Sequence, residues 1–231
     1  MTSTVIFQFL ESPVAGVLTF PKNQSGPGLL LLPAWWGLNE FFKGLAKRLA
    51  GEGFITFAPD YYNGQVATSV ETAKALSGQL DRKEAEKQVK MAAEFMKSHP
   101  AVDGEKIGII GFSLGVRFAM NLARTKAKDV GAVVLFYGVA GGLFREFTIP
   151  VQGHFAENDE WGSGPEAMQK LRTRLAAGRG VIDFHEYPHT SHWFFEEDVK
   201  DAYNAAAASL ANKRMLSFLR EWLKKEQPES L

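Results

Sequence analysis

Apolar residues fall along this chain in two alternating patterns. Residues 28–32, 54–58, 107–110, 132–137, 151–156 and 181–187 are short, mostly apolar runs set between Gly, Pro, Asn or Asp. Runs of that length are too short for buried helices and read as interior strands. Residues 5–9 and 14–20, joined through Glu11-Ser12-Pro13, predict an antiparallel pair at a sheet edge. Between the runs the period changes to that of a helix. Asn39 is a fit N-cap for a helix with Phe42, Leu45, Ala46 and Leu49 on one face and Lys43, Lys47 and Arg48 on the other, stopped by Gly51 and Gly53. A helix over 68–80 is interrupted by Gly78, and one over 81–97 carries the stripe Ala85, Val89, Ala92 and Met96. Further helices are expected after Gly115, over 165–177 and over 199–225, the last turning Leu210, Met215, Leu219 and Trp222 inward. Strands alternating with helices predict an α/β fold with a mostly parallel, doubly wound sheet flanked by helices on both faces. In such a sheet the site lies beyond the carboxyl ends of the strands, on loops that here begin at Pro33, Pro59, Phe112, Tyr137, Glu157 and Pro188.

Composition narrows the classes. At 231 residues, with no linker-like stretch, the chain is read as one domain over 1–231. Its 26 basic and 26 acidic residues leave no net charge to attract nucleic acid or an anionic membrane, so neither partner is expected. There is no cysteine, hence no disulfide framework, zinc-thiolate cluster or thiol nucleophile. The first residues lack a basic segment followed by a long apolar one, and no run has the length of a membrane span, so a cytoplasmic location is expected.

Chemistry concentrates at Gly111-Phe112-Ser113-Leu114-Gly115, where an apolar run turns directly into a helical pattern. The segment matches the G-x-S-x-G elbow, which holds a serine on a strained strand-to-helix turn. Side chains two residues to either side of such a serine would collide, and glycine occupies both positions. Ser113 is therefore the candidate nucleophile. Its hydroxyl needs a base, and the base an orienting carboxylate, in the order Ser, Asp or Glu, His on this fold. His99 precedes the elbow strand, while His154 and His185 fall within strands and read as structural. His189 and His192 follow the last strand, and His192 is favoured for its longer reach over the sheet. Glu157, Asp159 and Glu160 follow the preceding strand, and Asp159 is favoured because a short side chain fixes an imidazole tightly. The N–H of Leu114 and that of Trp35 are candidates for an oxyanion hole. Trp36, Tyr61, Tyr62, Trp161 and Trp193 are candidate substrate-binding residues, although each taken singly reads first as packing.

Taken together these residues resemble the dienelactone hydrolase family of α/β-hydrolases. The likeness covers Trp36-Gly-Leu-Asn39, Ala58-Pro-Asp-Tyr-Tyr62, Gly111-Phe-Ser-Leu-Gly115, Asn158-Asp159, His192-Trp-Phe194 and the Ala-rich closing helix. It implies an α/β-hydrolase fold, the triad Ser113, Asp159 and His192, and an oxyanion hole from Trp35 and Leu114. The chain also departs from the family's pattern. Founding members carry cysteine where Ser113 stands and a glutamate that aligns to Ala34. They carry an arginine for the substrate carboxylate where Glu196 stands, and a second arginine for which Arg82 is the only nearby residue. The reading is a carboxylic-ester hydrolase of small esters or lactones that needs no cofactor or metal, as a monomer or weak homodimer. Acyl transfer or peptide hydrolysis by the same triad, or a non-catalytic ligand-binding module, remain alternatives at this point.

Overall fold

The computed structural model describes residues 2–9 and 12–223. In chain order the elements are β1 (Thr2–Phe9), β2 (Ser12–Thr19), β3 (Gly26–Leu32), α1 (Glu40–Gly51), β4 (Ile55–Pro59), α2 (Val70–Gln79), α3 (Arg82–Ser98), β5 (Val102–Phe112), α4 (Leu114–Thr125), β6 (Val130–Phe136), β7 (Val151–Asn158), α5 (Pro165–Leu175), β8 (Ile182–Ser191) and α6 (Ala205–Trp222). One eight-stranded sheet has the order β1-β2-β4-β3-β5-β6-β7-β8. β1 pairs antiparallel with β2 and β2 antiparallel with β4, whereas every pair from β4 to β8 is parallel. The α/β architecture and the antiparallel edge pair are as expected.

Continuous apolar strands are what a sheet covered on both sides requires, because successive side chains point to opposite faces. Leu29 and Leu31 of β3 pack with Phe42, Leu45, Met215 and Leu219 of α1 and α6. Leu30 and Leu32 pack instead with Val89, Met96, Phe118 and Leu122 of α3 and α4. All four leucines are fully buried, each contributing about 1.5–3 kcal/mol of transfer free energy. Leucine's helical preference is thus overridden by burial on two faces.

Several boundaries differ from expectation. Ser12 and Pro13 belong to β2 rather than to a turn, and Glu11 lies outside the described residues. Ser69 caps α2 in a capping box with Thr72, and the helix continues through Gly78 because an exposed glycine costs about 1 kcal/mol without breaking the backbone pattern. β8 runs four residues past Tyr187, to Ser191. The closing helix starts only at Ala205, where Asn204 Oδ1 accepts the N–H of Ala207. Its buried face is Ala208, Ala211, Met215, Leu216, Phe218 and Leu219, while Leu210 and Trp222 are exposed. Met215 and Leu219 face inward as expected, whereas Leu210 and Trp222 do not, because the inner stripe runs on through Ala208 and Ala211, whose small side chains let the helix approach the sheet.

Two glycine substitutions are expected to have opposite signs. A Cβ on Gly115 would stand 2.3 Å from the carbonyl oxygen of Leu32, whereas one on Gly78 would meet nothing within 4 Å. In urea denaturation, Gly115→Ala should lose about 1–3 kcal/mol or more, and Gly78→Ala should gain about 0.5–1 kcal/mol.

Candidate active site

β5 delivers Ser113 to the carboxyl edge of the sheet, and α4 begins at the next residue. Ser113 has φ 46° and ψ −106°, a conformation L-residues rarely adopt. Two backbone hydrogen bonds hold it: its N–H donates to the Phe136 carbonyl at 3.0 Å, and its own carbonyl accepts the N–H of Val116 at 3.0 Å. The flanking glycines are needed for the reason the pattern suggested, since a Cβ on Gly111 would meet the Gly115 carbonyl oxygen at 2.9 Å.

His192 and Asp159 stand at the ends of neighbouring parallel strands. Ser113 Oγ lies 2.9 Å from His192 Nε2, and His192 Nδ1 lies 2.7 Å from Asp159 Oδ2. His192 is 3% exposed. Burial pushes the Asp159 carboxyl up, but the hydrogen bond and charge of His192, the Trp161 N–H and the Ser163 hydroxyl outweigh it and hold the group below its ordinary value. An ionised carboxylate can only accept, so the imidazole proton sits on Nδ1 and Nε2 is left to accept from the serine hydroxyl. The arrangement can move a proton off Ser113 while keeping the resulting positive charge beside Asp159.

His189, the other candidate, is turned outward, its side chain 92% exposed and its N–H donating to Glu157 Oε2 at 2.8 Å. His192 does not reach the site by the longer loop expected from its position. No long loop crosses the sheet; β8 shifts register between Ala156 and Asn158 of β7 and carries His192 to the site at its own end.

The candidate oxyanion donors lie on touching segments, because Gly115 beside Leu114 packs against the carbonyls of Leu32 and Pro33. Among the described residues, neither the Leu114 nor the Trp35 N–H has an acceptor. Trp35, Trp36, Trp161 and Trp193 form one ring cluster: Trp35 stacks on Trp193 at 5.9 Å and meets Trp161 edge-on at 5.0 Å, and Trp36 lies 5.3 Å from Trp193. Trp161 and Trp193 reach the His192 ring at 6.5 and 4.9 Å. Tyr61 and Tyr62 are placed differently, buried in the core on the α3 and α4 side. The Tyr61 hydroxyl donates to the Pro33 carbonyl and so braces the Trp35 loop from behind, while Tyr62 packs under Gly37.

Three further residues join the site that the motif search did not assign to it. Tyr137, with φ 36°, follows β6 directly and its ring lies 4.9 Å from that of His192. Ser163 Oγ lies 2.8 Å from the Tyr137 carbonyl oxygen and 3.0 Å from Asp159 Oδ2, and its one proton serves one of them at a time. Glu196, fully buried, accepts the Tyr137 hydroxyl proton on Oε1 at 2.7 Å. Position was the available signal, since Tyr137 opens a loop on the active edge. Among the described residues no group of His, Cys, Asp and Glu could hold a metal ion, and no helix is long and apolar enough to cross a membrane.

A family model described as the dienelactone hydrolase family matches residues 14–223. A protein of Aquifex aeolicus is 30% identical over 233 residues, covering 97% of this chain and all of its own. The carboxymethylenebutenolidase of Pseudomonas putida is 25% identical over 95% of this chain and 96% of its own. Among solved structures, a dienelactone hydrolase-like promiscuous phosphotriesterase from metagenomic libraries superimposes with TM-score 0.83 at 23% identity, covering 97% of this chain and 99% of the other. At that identity the likeness concerns the fold.

Glu196 gives the site a pH signature. Burial raises its carboxyl well above the usual 4.5, against the lowering effect of the Tyr137 hydrogen bond and with a further raise from Asp198. The folded chain therefore holds this proton more tightly than the unfolded one. The contribution is complete below the ordinary glutamate value and is lost as pH rises from there toward the folded value. Glu196→Gln has no proton to release, so its stability relative to wild type is expected to increase as pH rises above the ordinary glutamate value, in paired denaturation curves.

Proposed function

This chain belongs to the dienelactone hydrolase family, and on that premise we propose that it hydrolyses small carboxylic esters or lactones with Ser113 as nucleophile, His192 as base and Asp159 as its orienting carboxylate. The observation that carries the reading is the unbroken pair of hydrogen bonds from Ser113 Oγ through the imidazole to Asp159. The relatives named carboxymethylenebutenolidase support a lactone or ester as the substrate class.

Ser113 Oγ adds to the carbonyl carbon as its proton passes to His192 Nε2, and Asp159 stabilises the imidazolium. The carbonyl oxygen, now an oxyanion, accepts the N–H groups of Leu114 and Trp35, helped by the positive end of α4. When the C–O bond breaks, the imidazolium returns its proton to the leaving oxygen, which a lactone keeps tethered to the acyl chain. Water then adds to the acyl-enzyme with His192 again as base, releasing the acid and restoring Ser113. These steps need no metal or cofactor. Trp36, Trp161 and Trp193 would line the pocket with Trp35, while Tyr61 and Tyr62 would act through the loop they support.

With short-chain p-nitrophenyl esters, Ser113→Ala should lower kcat by about 10³-fold or more, and Ser113→Ala/His192→Ala by no more than the worse single variant. A fluorophosphonate probe should label Ser113, as read by peptide mass spectrometry. Equal rates for wild type and Ser113→Ala would reject the reading.

A further inference from the structure

Two in-line hydrogen bonds at Nδ1 and Nε2 leave an imidazole free to rotate about the line joining them. Packing on the ring must stop that rotation. Trp193 meets the His192 ring edge-on, with interplanar angle 87°, and Tyr137 leans on it at 56°, both with centroids 4.9 Å away. Tyr137 is in turn held at three points: its N–H donates to the His154 carbonyl at 2.8 Å, its carbonyl oxygen lies 2.8 Å from Ser163 Oγ, and its hydroxyl donates to Glu196. Glu196 sits four residues after His192 in the same turn, its N–H on the Trp193 carbonyl at 2.9 Å and its carbonyl accepting the Val199 N–H at 3.0 Å. The Tyr137 to Glu196 bond thus closes a ring of contacts that runs from His192 along the turn to Glu196, across to Tyr137, and back onto the imidazole face.

We propose that Tyr137 and Glu196 are a positioning pair that holds the His192 imidazole in register between Asp159 and Ser113. This role rests on the hydrolase reading above. The carboxyl is costly as mere filling, since Glu196 Oε2 is buried without a hydrogen-bond partner and an apolar side chain would occupy the space without desolvating a polar group. What the carboxyl adds is direction: it fixes the phenol, and the phenol fixes the ring. Glutamine keeps an acceptor for the phenol, leucine fills the volume without one, and phenylalanine at 137 keeps the ring but releases it.

The test compares Tyr137→Phe, Glu196→Leu, Glu196→Gln and the double variant Tyr137→Phe/Glu196→Leu with wild type. Tyr137→Phe and Glu196→Leu should each lower kcat for a p-nitrophenyl ester about 10-fold with KM within about twofold, and the double variant should do no worse than either. Glu196→Gln, which keeps an acceptor for the phenol, should stay within about twofold of wild type. Unchanged kcat in Tyr137→Phe and Glu196→Leu, a loss confined to KM, or multiplied losses in the double variant would overturn the pair. A second readout is independent of turnover: the downfield proton NMR signal of His192 Nδ1–H should be sharp in wild type and Glu196→Gln, and broadened or lost in Tyr137→Phe. Absence of Ser113-dependent hydrolysis in wild type would defeat the hydrolase reading, while a Tyr137→Phe signal as sharp as wild type would defeat the positioning pair.

Discussion

The backbone of Ser113 is the constraint on which the carboxyl edge depends. A non-glycine residue at φ 46° costs about 1–3 kcal/mol, and the surrounding chain has to over-determine it. It does so by crowding three strand ends onto one point. The Phe136 carbonyl from β6 accepts the Ser113 N–H, and the Leu32 carbonyl from β3 packs where any Cβ on Gly115 would stand. Because α4 starts at once, its first N–H groups have no carbonyl a turn earlier to bond. The strain that exposes the hydroxyl therefore also places free donors beside it. Under the hydrolase reading, nucleophile presentation and anion stabilisation are two outcomes of one turn.

The second requirement is to keep a carboxylate ionised where little water reaches. The Asp159 side chain is fully buried, and burial alone favours its neutral form. Donors offset that: His192 Nδ1, the Trp161 N–H at 2.8 Å, the Ser163 N–H at 3.5 Å and, when its proton turns from the Tyr137 carbonyl, the Ser163 hydroxyl. The donors come from one short turn after β7 and from the end of β8, so the parallel pairing of those strands sets the electrostatics as much as the geometry. Aromatic rings then enclose the relay, with Tyr137, Trp161 and Trp193 all packed against the imidazole. Such an enclosure strengthens each hydrogen bond inside it and raises the cost of any that is lost.

How much of this the sequence disclosed follows from where the information is local. The elbow was legible because a five-residue pattern carries its own steric reason, and the strands because four leucines in a row between turn signals have few alternatives. The strand-end rule placed Asp159 and His192 on the edge where Ser113 lies. The route of His192 was not legible, since a register shift between β7 and β8 depends on pairing that neither segment encodes alone. The facing of α6 was legible at Met215 and Leu219 but not at Leu210, which is exposed because the small residues at 208 and 211 take the side that approaches the sheet. Tyr137 and Glu196 are 59 residues apart, and nothing in the neighbourhood of either announces the other. Glu196 stood out in the sequence only as a departure from a family pattern, which gives a difference without a partner.

Hydrogen-bond satisfaction divides this edge into two kinds of surface. Along the line from Ser113 to Asp159 every nitrogen has a defined oxygen within 3 Å, as a proton path requires, since an ambiguous partner would let the imidazole adopt the wrong tautomer. Around the tryptophan cluster the opposite holds: the indole Nε1 atoms of Trp35, Trp36 and Trp193 are buried with no partner among the described residues. Unpaired buried donors cost about 1–3 kcal/mol each, and most folds avoid them. Here they gather on the loops after β3 and β8 rather than inside the sheet, in the ring cluster that packs on His192. Under the hydrolase reading, the stability forgone at the indoles and the stability invested at Asp159 serve one end, because both sets of groups hold the imidazole through which the proton passes.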